Sequence, residues 1–236
     1  MNREIAAALA GSAAASAAVP TPDDGLHSAA GLAWRWVVST DALDLYADPF
    51  AKGEQWRETF IGGGGALHRA RVALAADGLA ARVSLLPDAD PDHLARLVPV
   101  GSIEITPEAI ALFDATEATP GLIDRGRAPS RGLIRDLTAA AKAEGVRLRI
   151  EADADDLIAV LHGPDTREAW LRAGAALSAV WLMVGRYGLT AMPSLASDEP
   201  RPGRRRVGER EGWLGVGIGT PYVRLRITSK DSDDFE

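Results

Sequence analysis

The chain has 236 residues, 47% of them apolar and 25% charged, with a net charge of −7, a pI near 5.2 and no cysteine. An acidic chain of ordinary globular composition is not built to hold nucleic acid or an anionic membrane as its main partner. The lack of cysteine excludes disulfides, thiol catalysis, iron–sulfur clusters and cysteine zinc sites. The length suffices for a real hydrophobic core in one large domain or two small ones. No apolar run approaches the ~20 residues that a membrane-spanning helix needs, so a soluble, cytoplasmic protein is expected.

The first 29 residues read as an Ala-rich helix and linker. Residues 3–18 favour helix on alanine propensity, and Pro20, Pro22 and Asp23–Gly25 end it. Arg3 is balanced by Glu4, and Ala and Ser are weakly hydrophobic, so an N-terminal helix is favoured over a signal peptide. The stretches WRWVVST (34–40) and LDLYAD (43–48) read as two strands of a hairpin turning at Thr40–Asp41–Ala42. Residues 54–77 read as a helix and ARVSLLP (81–87) as a strand. In DADPDHLARL, Asp90 is a plausible N-cap and Pro91 a plausible first helical residue, which predicts a helix with His93 exposed on it. Asp88, Asp90 and Asp92 are then capping residues, because the downstream glycine and glutamate of a calcium loop are missing.

Residues 98–105 are expected to be extended, and Thr106–Pro107–Glu108 opens a helix to about Ala115. Residues 118–129 are irregular. Leu133, Ile134, Leu137 and Ala141 stripe a helix over 130–144, Gly145 ends it, and VRLRI follows as a strand. A long apolar helix over 165–187 precedes the extended LTAMPSL, a Pro/Gly-rich loop holding five arginines in RPGRRRVGER, a last strand PYVRLRITS and an acidic tail over 229–236. The expected class is α+β, with a mixed, mainly antiparallel sheet flanked by helices.

The chain also resembles itself. Shifted by 110 residues, FIGGGGALHRARVALAADGLAARVS (60–84) lies over WLRAGAALSAVWLMVGRYGLTAMPS (170–194) with seven identities, among them Gly64 with Gly174, Gly78 with Gly188 and Leu79 with Leu189. Two repeat-like halves, about 30–117 and 118–228, are expected within one domain over 30–228. The run Gly62–Gly65 could cradle a phosphate at a helix N-terminus. It matches neither common phosphate-loop pattern, however, and the second copy keeps small residues there without a glycine run. Smallness for close helix packing is the reading that serves both copies.

Taken in order, WRWVV, DALDLYADPF, GGGGALHRARVALAADGLAARVSLLPDADPDHLARLVPVG, TPEAIALFDA, DRGRAP, AAAKAEGVRLRI and AWLRAGAALSAVWLMVGRYGLTAMPS make the chain resemble the nitroreductase superfamily. The resemblance is to its Acg-type, FMN-binding members, in which two flavin-reductase halves are fused; it spans most of residues 30–195, with a weaker echo in GTPYVRLR. It implies a nitroreductase-like fold, FMN at a dimer-like interface, and reduction of nitro or quinone compounds with NAD(P)H, or flavin sequestration. It also implies a homodimer or a hetero-oligomer with a more complete flavoprotein subunit.

Residue by residue, Ser28 stands at the family's flavin-contacting serine, and Trp34 ends its Asn-x-Gln-Pro-Trp pattern. Ala30, Leu32 and Ala33 replace the Asn, Gln and Pro of that pattern. Arg125 and Arg127 remain of the family's phosphate-binding arginine pattern, where Gly121, Leu122 and Ile123 replace its first basic and hydroxyl positions. These two arginines are either phosphate anchors or solvated loop charges. The backbone of Leu189, Thr190 and Ala191 stands where the family lays its flavin ring, or is an ordinary core strand. Much of the family's segment between RLRI and AWLRAG is missing, which predicts the loss of a substrate-covering lid. His27 falls near the lost Asn, while His68 and His162 lack partners at metal-ligand spacing. A degenerate, non-catalytic relative is the alternative reading.

Overall fold

The computed structural model describes residues 34–48, 56–117, 131–153, 156–195, 205–206 and 220–228. These form four helices and nine strands: β1 (Trp34–Val38), β2 (Leu43–Ala47), α1 (Trp56–Ala76), β3 (Leu79–Leu85), β4 (His93–Ser102), α2 (Pro107–Glu117), α3 (Arg131–Ala143), β5 (Arg147–Asp153), β6 (Asp156–Gly163), α4 (Arg167–Arg186), β7 (Thr190–Leu195), β8 (Arg205–Arg206) and β9 (Thr220–Thr228). The class is α+β. The Ala-rich segment 1–29 and the acidic tail 229–236 lie outside the described residues.

One mixed sheet was the expectation. Two separate sheets are found, and every strand pair in them is antiparallel. The first runs β1-β2-β4-β3 and the second β7-β9-β6-β5-β8. Read from the other end, the second sheet has β5, β6, β9 and β7 in the places of β1, β2, β4 and β3, with β8 added outside β5. Each sheet wraps one long helix, α1 in the first and α4 in the second. Both helices stop at a left-handed glycine, Gly78 at φ +72° and Gly188 at φ +68°, and each turns directly into a strand.

Two further expectations are corrected. DADPDHLARL is no helix. Asp88, Asp90 and Asp92 lie in the β3–β4 hairpin, where the Asp88 and Asp90 side chains accept from the backbone N–H of Asp90 and Asp92. The same side-chain chemistry that caps helices also closes such turns, and Leu94, Ala95 and Leu97 then enter the core from β4. Strand β6 occupies a stretch to which no element was assigned, and it is the most continuously apolar strand, with Leu157 to Leu161 all buried.

The glycine run is helix interior. Gly62, Gly63, Gly64 and Gly65 are all buried in α1. A Cβ on Gly64 would lie 1.9 Å from the carbonyl oxygen of Leu171, and one on Gly174 would lie 1.7 Å from that of Ile61. The two helices therefore touch backbone to backbone, and the contact is reciprocal: Gly64 and Gly174 are 110 positions apart, as are Ile61 and Leu171. The side chains trade places too. Ile61 of α1 packs in the core of the second sheet, and Leu171 of α4 packs in the core of the first. Gly62 makes room for the Trp34 ring, 2.6 Å from where its Cβ would stand.

Gly64→Ala and Gly174→Ala are each expected to destabilise by about 1–3 kcal/mol or more, since the clash is with backbone that cannot swing away, even though alanine is the better helix former. Gly185→Ala, on the same helix α4 as Gly174 but with open space around it, is the control. It should be neutral or stabilising by up to about 1 kcal/mol. Urea unfolding midpoints of the three variants check this.

Candidate functional site

Three polar constellations occur among the described residues. The first lies within the helix crossing. His68 of α1 and Ser178 of α4 are both buried, with Nδ1 and Oγ 3.1 Å apart. Burial, then the positive charges of Arg71 and Arg69, push the His68 pKa down to about 3. The ring is therefore neutral at ordinary pH and shares one hydrogen bond with the hydroxyl. His68 thus has a partner that sequence spacing did not reveal, and the pair is sealed between helices. Beside it, Arg71 reaches Glu144, just past α3, with Nη1 at 2.8 and 3.1 Å from the two carboxylate oxygens.

The second constellation is on the first sheet. Leu43, Leu45 and Ala47 of β2 enter the core, so by strand alternation Asp44 and Tyr46 face away from α1. His93, expected to be exposed on a helix, is instead fully buried on β4. Its Nε2 is 3.0 Å from Asp44 Oδ1, its Nδ1 is 2.8 Å from Asp88 Oδ2, and its ring stacks on Tyr46 at 4.4 Å. Arg96 donates to both oxygens of Asp44, at 2.7 and 3.1 Å. The hydrogen bond to His93 is the main reason the Asp88 carboxyl sits below its ordinary range. Both nitrogens of His93 and both oxygens of Asp44 are engaged, so the cluster works as a clasp tying the β3–β4 hairpin to β2.

The third lies at the C-terminal end of α4, where the resemblance places a flavin ring. A groove of about 470 Å³ is lined by Glu108, Asp136, Met183, Arg186, Tyr187 and two alanines of α3. Arg186 pairs with Glu108 at 3.1 Å, and the Tyr187 hydroxyl donates to Asp136 at 2.6 Å. That hydrogen bond raises the Tyr187 pKa, while Arg135 is the main cause of the lowered Asp136 pKa. Leu189 to Ala191 follow immediately. Ala191 is buried and Leu189 half-buried, both packed on the core of the second sheet. Among the described strands β7 is an edge strand, with β9 its one neighbour. Along such an edge, alternate residues turn their N–H and C=O groups away from the sheet.

The fit to FMN can be judged from this donor set. The backbone edge of β7 that no described strand pairs with suits the hydrogen-bonding rim of a flavin ring. The groove does not suit the phosphate, because Glu108 and Asp136 offset its cation. Arg125, Arg127, Ser28 and His27 all lie outside the described residues. Of the arginine-rich loop, Arg205 and Arg206 are described, as β8 pairing with Ala152 and Glu151 of β5. Trp34 and Trp170 pack against the core of the first sheet.

Sequence reasoning passed over Arg69. It lies on α1, is 4% exposed, and its Nη1 donates to the carbonyl of Thr116 at 3.3 Å. Its Nε is buried without a hydrogen-bond partner. An arginine inside an apolar helical stripe was the available signal. Among the described residues no group of acidic, histidine or cysteine side chains could hold a metal ion. No helix among them is long and apolar enough to cross a membrane.

No family model matches the chain, and no curated protein matches it. Among solved structures, the chain is similar to a candidate nitroreductase of Thermotoga maritima, at 10% identity and a TM-score of 0.42, over 88% of this chain and 82% of that one.

Two outcomes follow from these contacts. Asp44→Ala should cost about 3 kcal/mol, because it strands the buried His93 ring and frees Arg96. Arg172→Ala, which breaks the exposed pair with Glu168, should stay within about 0.5 kcal/mol; chemical denaturation separates the two. For His68, the folded-state pKa lies below the ordinary 6.5. Its neutral form thus contributes stability that is fully present above about pH 6.5 and is lost as pH falls toward 3. His68→Asn should flatten the stability–pH curve over that window relative to the parent, by up to about 1 kcal/mol per pH unit.

Proposed function

We propose that the chain is a nitroreductase-like flavoprotein that holds FMN with its ring along the open edge of β7. In this reading it passes electrons from NAD(P)H to small nitro or quinone compounds. The single observation that carries the reading is the ordered run of family-like segments ending in GLTAMPS, whose last residues form an edge strand beside a groove. We further propose that the two sheet-and-helix units are repeats of one ancestral half, on the strength of their common strand order and the 110-residue spacing of their contacts.

When bound, the flavin supplies the redox chemistry, and the protein is left to bind, orient and exclude water. The edge N–H and C=O groups of residues 190–195 would orient the ring. The core packing of Leu189 and Ala191 would keep that strand from shifting. Arg125 and Arg127 would anchor the phosphate, each offering a planar fork of donors. Such a protein needs no acid–base pair of its own.

A second reading has its own support. Ala30, Leu32 and Ala33 stand where the family keeps ring-binding polar groups. That favours a protein that binds flavin without turnover, or a subunit that completes a site with a fuller flavoprotein chain.

The test is direct. The purified protein, incubated with FMN and freed of excess, should be yellow, with flavin absorption bands shifted from those of free FMN. A colourless protein would remove both readings in which the chain alone holds flavin; the shared-site subunit is tested by co-purification with a fuller flavoprotein chain. Among yellow preparations, NAD(P)H oxidation by the pure protein with a nitro or quinone acceptor supports the enzyme. Its absence favours the binding reading.

A further inference from the structure

Arg69 carries a charge that no described side chain balances. It sits at the seam between α1 and the last turn of α2, 4% exposed. Its one hydrogen bond, to a neutral carbonyl, is at the long end of the range. No carboxylate whose side chain is described pairs with it, and its Nε donor is buried without a hydrogen-bond partner. Burial alone draws its pKa down. Arg71, two residues on, has Glu144; Arg69 has no equivalent. The C-terminal end of α2 offers about half an elementary charge in compensation. Buried cations in proteins are ordinarily paired, so half a charge and one carbonyl leave a site waiting for an anion.

We propose that Arg69 is the cation of an oxyanion site at the α1–α2 seam, and that the oxyanion it takes is a phosphate. The guanidinium fork matches the geometry of phosphate oxygens and is more weakly hydrated than an ammonium, which is why arginine rather than lysine suits a dry position. Helix α2 then acts as a ruler. At one end Glu108 pairs with Arg186, at the rim of the groove beside β7. At the other, Thr116 touches Arg69. The rise between Glu108 and Thr116 is about 12 Å of helix, a span that a ribityl phosphate can bridge from a ring held at β7. This last step rests on the flavin reading and puts Arg69, in place of Arg125 and Arg127, at the FMN phosphate; the phosphate site itself does not rest on it.

The experiment is thermal unfolding of the full chain in phosphate-free buffer at fixed ionic strength. Inorganic phosphate, FMN and riboflavin are titrated separately into the parent, Arg69→Met and Arg69→Lys. The parent should show a saturable rise in Tm with phosphate, and FMN should bind at least tenfold more tightly than riboflavin. Arg69→Met should lose both effects and, without phosphate, be no less stable than the parent, since an unpaired buried charge has been removed. Arg69→Lys keeps the charge but not the fork, so its phosphate midpoint should rise several-fold; this arm holds even if the methionine variant does not fold. A phosphate response with no binding of either flavin would keep the site and overturn the flavin reading. Equal phosphate responses in the parent and Arg69→Lys, or no response in the parent, would overturn the site and leave Arg69 as a cap on α2.

Discussion

Helices α1 and α4 cross at a distance that only a missing side chain permits. Gly64 lies against the backbone of Leu171, and Gly174 against that of Ile61. Because each helix belongs to a different sheet, this contact joins the two cores. It lets Ile61 and Leu171 pass across and fill each other's side. The edge of β7 that no described strand covers, the groove at the end of α4 and the seam between α1 and α2 are all placed relative to this crossing. A single methyl group at the crossing would push apart elements far from it.

The polar groups buried near the crossing are spent on holding it. His68 and Ser178 satisfy each other across the two helices, and Arg71 ties α1 to the end of α3 through Glu144. The His93–Asp44–Arg96 clasp does the same for the first sheet. These groups have the residue types of catalytic machinery, but their donors and acceptors are already used on one another. Arg69 is different in that no described side chain answers its buried charge. That contrast, more than any motif, is what the proposed oxyanion site rests on.

Much of the fold was legible in the sequence where local signals and tertiary packing agree. The stripe Leu133, Leu137, Ala141 gave α3, alternation gave β1, β2 and β3, and the small residues of the two similar segments pointed to a close helix crossing. What was not legible has physical reasons. Asp88, Asp90 and Asp92 use one hydrogen-bonding habit that serves a helix cap and a hairpin turn equally, so the start of β4 was read as helix and His93 as exposed, while its end, from residue 98, was read as extended. Strand β6, apolar throughout, carries no alternation to mark it. The division into two sheets depends on long-range pairing, such as β6 with β9, that no local pattern encodes. At the candidate site, the backbone edge of β7 became visible once the strand order was known. That no described carboxylate meets Arg69 is seen in space and not along the chain.

The account's central claim is that this crossing presents a flavin site running from the edge of β7 to Arg69 along α2. Amide hydrogen exchange of the whole protein, with and without saturating FMN, tests it most directly. The account predicts FMN-dependent protection concentrated in residues 190–195 and in the last turn of α2, with α1 and α4 slow-exchanging in both states. Flavin binding with protection elsewhere, or with none at β7, would contradict it.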